Sequence, residues 1–219
     1  MKIKICGLKT PEEALYLNEN KVEYAGMVLY FKKSHRNIDI NTARTIIEAL
    51  DKNIKKVAVT VCPDTNQINE IAMSGFDYIQ IHGNVDAQLV RSSKIPVILA
   101  INVPESETDA ISLFSDFIDK YILFDNVYGF LFDASSPGSG KGFNLKFLKS
   151  SMSEKYISML RNKSKLIFLA GGLNPSNVKQ AISDFMPDVT DVSSGVELDD
   201  GCGKDRNKIK EFVKNARLL

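Results

Sequence analysis

Two residues that can move protons stand at the ends of short apolar runs in this sequence. Cys6 ends the first run and Asp133 ends the sixth. A carboxyl group whose pKa is raised by burial can donate a proton near neutral pH, and a thiol becomes a base where positive charge favours its thiolate. Lys4 and Lys9 are close to Cys6 in sequence. More often, however, a cysteine is an inert core residue and an aspartate after a strand caps a helix.

Two later turns are rich in small residues, which suits the binding of an anion. Gly171 and Gly172 follow the seventh apolar run. Ser193, Ser194 and Gly195 follow the eighth. Small residues let backbone N–H groups approach an anion closely, and a helix that starts after each turn adds its positive end. The two turns therefore predict a site for a substrate phosphate, although ordinary tight turns need small residues too.

These residues meet if the apolar runs are the strands of one parallel barrel. The runs alternate with amphipathic stretches that carry helix start signals such as Thr10-Pro11, and several runs are apolar throughout, as in strands covered on both faces. In a (β/α)8 barrel the carboxyl ends of all strands meet at one face, where catalytic residues gather. The eight runs are Ile3–Cys6, Tyr24–Leu29, Lys56–Val61, Tyr78–Ile81, Val97–Ile101, Phe130–Asp133, Leu166–Leu169 and Val189–Val192.

The stretch 105–128 allows two assignments. It can be one long helix that precedes the sixth run, or a helix followed by a strand at Tyr121–Phe124. In the second case Asp125 replaces Asp133 at the end of the sixth strand. The residue that would act at this strand end depends on which assignment holds.

The bulk composition excludes several classes of protein. Of 219 residues, 44% are hydrophobic and 25% are charged, and the formal net charge of +1 gives no reason to expect nucleic acid or an anionic membrane as a partner. No stretch approaches the ~20 apolar residues of a membrane-spanning helix, and the first residues lack the apolar core of a signal peptide, so we expect a cytoplasmic protein. Three widely spaced cysteines argue against a disulfide framework. No linker or long repeat divides the chain, so residues 1–219 are expected to form a single domain.

The glycine-rich segment Gly138–Gly142 does not match the nucleotide-binding motifs. Ser135 stands where a P-loop has its first glycine, and Phe143 stands where the dinucleotide-binding pattern has its third. We interpret the segment as a loop that folds over a bound substrate and excludes water, with a plain flexible connection as the alternative.

Seven short motifs are distributed over nearly the whole chain. They are K-I-C-G at 4–7, K-S-x-R at 33–36, Q-I-H-G at 80–83, L-F-D at 131–133, G-S-G-K-G-F at 138–143, L-A-G-G-L-N-P-x-N-V at 169–178 and D-V-S-S-G-V-E at 191–197. No single motif is decisive, but the ordered set is highly specific. In these motifs and in their order, the chain resembles the phosphoribosylanthranilate isomerase family.

This resemblance implies an enzyme of tryptophan biosynthesis that needs no cofactor and no metal ion. Its substrate, N-(5′-phosphoribosyl)anthranilate, becomes 1-(2-carboxyphenylamino)-1-deoxyribulose 5-phosphate in an Amadori rearrangement driven by general acid–base catalysis. By the same resemblance Asp133 is the general acid, Cys6 is the general base and Arg36 holds the anthranilate carboxylate. Gln80 and His82 are expected to line or support the pocket. The enzyme is expected to be a monomer or a homodimer.

Three other interpretations remain open at this point. An indole-glycerol-phosphate synthase needs catalytic lysines and a longer N-terminal extension. A pentose-phosphate epimerase needs metal ligands at several strand ends, for which His82 lacks a convincing set of partners. A non-catalytic barrel that binds a sugar phosphate would keep the glycine turns without needing Cys6 and Asp133 together. Cys62, which also ends a strand, matches no functional position and serves as the control thiol.

Overall fold

Parallel strands, each paired with its neighbours in chain order, close into a barrel. The barrel strands are β1 (Lys2–Cys6), β2 (Tyr24–Leu29), β3 (Lys55–Val61), β4 (Tyr78–His82), β5 (Val97–Val103), β6 (Val127–Ala134), β7 (Leu166–Leu169) and β8 (Val189–Val192). The computed structural model describes residues 1–103, 107–134 and 154–218. Because β1 pairs with both β2 and β8, the barrel has no open edge. A two-residue strand, Asn37–Ile38, extends the pairing at the end of β2.

Helices follow the strands and pack on the outside of the barrel. In the described part of the chain they are α1 (Pro11–Glu19), α2 (Ile40–Ala49), α3 (Thr65–Ala72), α4 (Ala87–Ser92), α5 (Glu107–Tyr121), α6 (Glu154–Asn162), α7 (Val178–Phe185) and α8 (Arg206–Ala216). Several begin with local capping chemistry. Thr10 and Glu13 exchange hydrogen bonds at the start of α1, as Asp64 and Gln67 do at the start of α3. Of the described helices, none combines the length and apolar character that crossing a bilayer requires.

Alternation along each strand sorts side chains between the barrel interior and the layer under the helices. In β1, Ile5 packs in the large outer core, whereas Cys6 belongs to the smaller interior cluster. In β6, Phe132 lies in the outer core and Leu131 in the interior cluster. Asp133, two residues after Leu131, therefore shares the interior side of its strand with Leu131, as Cys6 does on β1.

Aromatic side chains fill the amino-terminal end of the barrel. The hydroxyl groups of Tyr24 and Tyr128 are 2.9 Å apart, and the rings of Tyr78 and Tyr128 are centred 4.4 Å from each other. The ring of Phe168 packs 5.7 Å from that of Tyr24. Burial raises the pKa of Tyr78 and Tyr128 to about 12, so these hydroxyl groups stay neutral. We call these four residues the aromatic floor.

The stretch with two possible assignments forms a helix followed by the sixth strand. Tyr121 is the last residue of α5, and its buried hydroxyl donates a 2.7 Å hydrogen bond to the carbonyl of Val85. β6 begins at Val127, so Asp133, and not Asp125, lies near its carboxyl end. The predicted (β/α)8 barrel and the positions of its strands are confirmed.

A register shift early in β6 determines which residues reach its carboxyl end. Val97 of β5 pairs with Val127, but the next residue, Ile98, pairs with Gly129. Tyr128 is therefore an extra residue on β6, a β-bulge, and its ring contributes to the aromatic floor. Beyond the bulge the pairing is regular, and it brings Asp133 opposite Asn102 of β5.

We expect the substitution Gly129→Ala to destabilise the barrel. A Cβ at this position would overlap the carbonyl oxygen of Leu166 on β7 and would lie 3.0 Å from the ring of Phe168. Because neither group can move easily, the free energy of unfolding should fall by about 3 kcal/mol, measured by urea denaturation. The control is Gly201→Ala, whose Cβ would meet no atom within 4 Å. It should cost only about 1 kcal/mol for its left-handed backbone. Equal losses in the two variants would contradict the steric explanation.

Candidate active site at the mouth of the barrel

A buried ion pair stands inside the barrel beside Cys6. Lys4 Nζ donates a 2.8 Å hydrogen bond to Asp191 Oδ2, and both side chains are almost completely buried. Lys4 and Cys6 lie on the same side of β1 because they are two residues apart, and Asp191 is on the neighbouring β8. Gly26 on β2 provides the space, since a Cβ there would lie 2.9 Å from Cys6 Sγ and 3.2 Å from Lys4 Nζ.

The Cys6 thiol is subject to opposing effects of burial and charge. Burial has the largest effect and holds the pKa of Cys6 above its ordinary value, and the carboxylate of Asp191 raises it further. The ammonium groups of Lys4 and Lys204 lower the pKa of this thiol, and Lys4 also does so through a hydrogen bond. Burial opposes the charge on Lys4 as well, but Asp191 and Cys6 outweigh it and raise the pKa of Lys4. Of the two lysines close to Cys6 in sequence, Lys4 is thus the one that favours the thiolate.

Asp133 is placed at the mouth by the register of β6. Its side chain is half-buried near the carboxyl end of the strand, opposite Asn102 of β5. It shares the interior side of the barrel wall with Leu131 below it. The structure therefore positions Asp133 at the same end of the barrel as Cys6, as the strand assignment predicted.

The remaining thiols have a different environment from Cys6. Cys62 and Cys202 are exposed, whereas Cys6 is buried. Cys62 follows the last residue of β3 in a left-handed backbone conformation, with φ 45°. Across the ranges 1–103, 107–134 and 154–218, no three His, Cys, Asp or Glu side chains are grouped so that they could hold a metal ion.

Gln80 and His82 form a hydrogen-bonded polar pair on the interior side of β4. The amide nitrogen Nε2 of Gln80 lies 2.7 Å from His82 Nε2. The two side chains therefore form a hydrogen bond inside the barrel wall. Burial, and then the charge of Lys4, lowers the pKa of His82 to about 4, against an opposing hydrogen bond with Asn102. His82 is therefore neutral near pH 7, as expected of a residue that supports the pocket without titrating.

The two small-residue turns lie against each other. A Cβ on Gly195 would overlap the carbonyl oxygen of Leu173, so the turns after β7 and β8 are in backbone contact. Gly171 and Gly172 have φ values of 96° and 64°, which favour glycine. Their N–H groups find no hydrogen-bond partner among the described residues. The contact brings together the backbone groups that a phosphate site needs.

The hydroxyl of Ser193 joins the turn after β8 to β1. Its Oγ donates a 2.9 Å hydrogen bond to the carbonyl of Cys6 and lies 3.3 Å from Lys204 Nζ. Ser194 and Gly195 belong to the single 3-10 turn that follows it. The predicted phosphate turn and the candidate base are therefore in direct contact.

Arg36 lies beside Cys6, and one edge of its guanidinium group is already bound to Glu197. Its guanidinium donates from Nε and Nη2 to the two carboxylate oxygens of Glu197, at 2.6 and 2.8 Å. Lys204 Nζ donates to the same carboxylate at 3.0 Å. The Arg36 side chain crosses Gly7, where a Cβ would lie 2.6 Å from its Cδ.

The structure brings most of the predicted site residues to one end of the barrel. Of the two lysines named from the sequence, it places Lys4 beside Cys6. It also adds three residues that sequence reasoning missed, each with a signal in the quoted motifs or close by. Asp191 and Glu197 begin and end D-V-S-S-G-V-E, and Lys204 follows that motif by seven residues. The predicted lid, Gly138–Gly142, lies outside the described residues.

The comparison with known families decides between the interpretations left open by the sequence. The family model described as N-(5′-phosphoribosyl)anthranilate isomerase matches residues 3–215. The chain belongs to this isomerase family. It is an enzyme, an isomerase of tryptophan biosynthesis, and the prediction made from the ordered motifs is confirmed. The match replaces the synthase, epimerase and non-catalytic interpretations.

Relatives with this name are similar to the chain in sequence and in structure over nearly its full length. The enzyme of Aquifex aeolicus is 34% identical over 222 residues, covering 99% of this chain and 98% of its own. A structure of monomers made from the dimeric enzyme of Thermotoga maritima has a TM-score of 0.78 and 30% identity, with complete coverage of both chains. A phosphoribosylanthranilate isomerase in complex with reduced 1-(o-carboxyphenylamino)-1-deoxyribulose 5-phosphate has a TM-score of 0.76 and 29% identity, again with complete coverage of both.

Removal of the buried ion pair is expected to make Cys6 less reactive. In the double variant Lys4→Met/Asp191→Asn, burial still raises the pKa of the thiol. The lowering effect of Lys4, which is larger than the raising effect of Asp191, is lost. The pKa of Cys6 then rises, and the thiolate that reacts is present only at higher pH. Alkylation of Cys6 by iodoacetamide at pH 7, followed by mass spectrometry, should slow about tenfold or more.

Both residues are replaced because Lys4→Met alone would leave a buried carboxylate unpaired, at a cost of about 3–5 kcal/mol in stability. The exposed Cys62 is the internal control, and its alkylation rate should not change. A Cys6 rate that is unchanged or faster in the double variant would disprove the role of Lys4.

Proposed function

We propose that Cys6 and Asp133 carry out the proton transfers of the Amadori rearrangement in this isomerase. The observation that supports this most is the environment of Cys6, a buried thiol beside the buried and protonated Lys4. A cysteine that only fills space needs no cation next to it, because the neutral thiol is itself apolar. A general base does need one, since its charged form must persist inside the barrel.

The reaction has two stages, of which the first needs a proton donor and the second needs a base. Asp133 donates a proton to the furanose ring oxygen, the bond from that oxygen to C1′ breaks, and the anthranilate nitrogen forms a protonated Schiff base with C1′. The Cys6 thiolate then removes the proton from C2′. The electrons of that C–H bond form a C1′–C2′ double bond, and the Schiff-base nitrogen receives the displaced pair. The enolamine gains a proton at C1′ and loses one from the C2′ hydroxyl, which gives the ketone.

This sequence of steps conserves every atom and electron of the substrate, so the chain needs to supply only proton carriers and charge. Lys4 serves the second stage, because it favours the thiolate that takes the C2′ proton. Asp133 serves the first stage from a half-buried position at the mouth. A carboxyl group that reaches the ring oxygen from this position is of the kind that serves as a general acid.

The phosphate of the substrate fits the two small-residue turns. We assign its binding to Gly171, Gly172, Ser193, Ser194 and Gly195. The first two carry N–H groups without a partner among the described residues, in a backbone conformation that favours glycine. The turn after β8 is held against them by the close approach at Gly195. Backbone N–H groups at small-residue turns after the last two strands are a recurrent phosphate site of such barrels.

The anthranilate carboxylate fits Arg36. With Nε and one N–H of Nη2 directed to Glu197, the guanidinium keeps the edge formed by Nη1 and Nη2, which can bind a carboxylate at two points. Gln80 and His82 support the pocket wall on β4 as a neutral hydrogen-bonded pair. The substrate is then held by its two anionic ends, with the reacting carbons between them.

Some properties of the whole molecule remain predictions. We infer that residues 1–219 form one domain, because the described strands all belong to one closed sheet. A monomer or homodimer is expected, in keeping with the Thermotoga maritima relative, which is described as dimeric and has also been obtained as monomers. The absence of a nucleic-acid partner and a cytoplasmic location likewise stay predictions from composition.

Activity of three matched variants tests the assignment. Phosphoribosylanthranilate is generated in situ and its consumption is followed by anthranilate fluorescence. Cys6→Ser and Asp133→Asn should each lower kcat by about 100- to 10,000-fold, because each removes one proton carrier. The control is Cys62→Ser, an exposed thiol at the end of another strand, which should keep wild-type activity. Turnover close to wild type in either of the first two variants would show that the residue has no catalytic part.

A further inference from the structure

Glu197 has no part in the proposed proton transfers, yet its carboxylate binds two cationic side chains at the mouth of the barrel. It accepts two hydrogen bonds from Arg36 and one from Lys204, and its side chain is only 9% exposed. We infer that Glu197 is a positioning residue that holds Arg36 in the orientation needed to bind the substrate carboxylate. This inference rests on the proposed function, in which Arg36 binds that carboxylate.

The contact between Arg36 and Glu197 leaves the correct edge of the guanidinium available. Arg36 uses its side edge, Nε and Nη2, for the two oxygens of Glu197. An arginine side chain has many rotamers in water, and fixing them costs entropy that a ligand would otherwise have to overcome on binding. Because Glu197 fixes the plane of the guanidinium in advance, the end edge points in one direction before the substrate arrives.

Glu197 is itself held in place and remains charged. An antiparallel backbone bridge pairs Glu197 with Lys204, whose Nζ donates to Glu197 Oε1. Burial alone would raise the pKa of Glu197, but the hydrogen bond from Arg36 and the charge of Lys204 lower it to about 2. The carboxylate is therefore ionised at any pH where the enzyme would work, and the hold on Arg36 does not depend on pH.

A continuous set of contacts connects this carboxylate to the reacting centre. Lys204 Nζ donates to the carbonyl of Ser193 at 3.1 Å, and Ser193 Oγ donates to the carbonyl of Cys6. Arg36 crosses Gly7, the residue after Cys6, at a distance that leaves no room for a Cβ. The guanidinium is thus fixed relative to the base that acts on the other part of the substrate.

The charge of the cluster also fits a single carboxylate. Arg36 and Lys204 bring two positive charges and Glu197 brings one negative charge, which leaves one positive charge unbalanced among these three groups. The imidazole Nε2 of His35 lies 3.7 Å from Glu197 on the exposed side. The positive charge of these groups favours the approach of an anion such as the anthranilate carboxylate.

The first test compares steady-state kinetics of wild type, Glu197→Gln, Arg36→Met and the double variant. Loss of the fixed orientation should raise KM of Glu197→Gln about tenfold, while kcat changes less than about threefold, because the proton carriers are untouched. In the Arg36→Met background the same substitution should leave KM unchanged. A KM effect that persists in that background, or a loss confined to kcat, would overturn the inference.

A matched control separates this role from the general effect of breaking an arginine–glutamate pair. Glu19 accepts two hydrogen bonds from Arg206 in the same fork geometry at an exposed position away from the mouth. Glu19→Gln should leave KM and kcat at their wild-type values. If Glu197→Gln does not fold, Glu197→Asp keeps the charge on a shorter side chain and should raise KM by a smaller factor, and an unchanged KM in that folded variant would overturn the inference.

Binding of two analogues tests the inference without turnover. The probes are reduced 1-(o-carboxyphenylamino)-1-deoxyribulose 5-phosphate and the same compound without its ring carboxylate, with Kd measured by calorimetry. Glu197→Gln should weaken the first about tenfold and leave the second unchanged. Equal weakening of both would overturn the inference. A wild type that binds both probes but does not turn over phosphoribosylanthranilate would overturn the proposed function instead, and the ratio of the two Kd values would still decide the role of Glu197.

Discussion

A charge inside an apolar barrel persists only when an opposite charge touches it, and the active site of this isomerase depends on that constraint. Lys4 is completely buried and pairs with Asp191 across the seam between β1 and β8. The pair as a whole is neutral, but it holds the ammonium group of Lys4 at a fixed point inside the barrel. The thiol of Cys6 lies next to it and can therefore lose its proton at a lower cost than burial alone would impose.

The polar groups at this end of the barrel form two clusters. The ion pair of Lys4 and Asp191 lies beside Cys6. The second cluster is the one described above around Glu197. Ser193 connects the second cluster to Cys6, since its Oγ donates to the Cys6 carbonyl and lies 3.3 Å from Lys204 Nζ. Because Lys204 also lowers the pKa of Cys6, the two clusters act on the same thiol.

The fold was largely predictable from the sequence because apolar runs, capping residues and small-residue turns act locally. Periodicity predicted Cys6 and Asp133 at strand ends, and the bounds of β6 place Asp133, and not Asp125, near its carboxyl end. The ion pairs were not predictable, because they join residues far apart in the chain. Lys4 and Asp191 are 187 residues apart, and Arg36 and Glu197 are 161 apart. The sequence names Lys4 as a cation close to Cys6, but the direction of its side chain is fixed only by the neighbouring strand.

The aromatic floor fills the amino-terminal end of the barrel. In the described part of the molecule, Tyr24, Tyr78, Tyr128 and Phe168 close the route along the axis from below. The packed rings shield Cys6 from solvent on that side. In the mechanism proposed above, a hydrogen that Cys6 takes from C2′ is shielded in the same way. This packing favours the return of the same hydrogen atom to C1′ over its exchange with solvent, so the shape of the barrel bears on the fate of an individual atom during turnover.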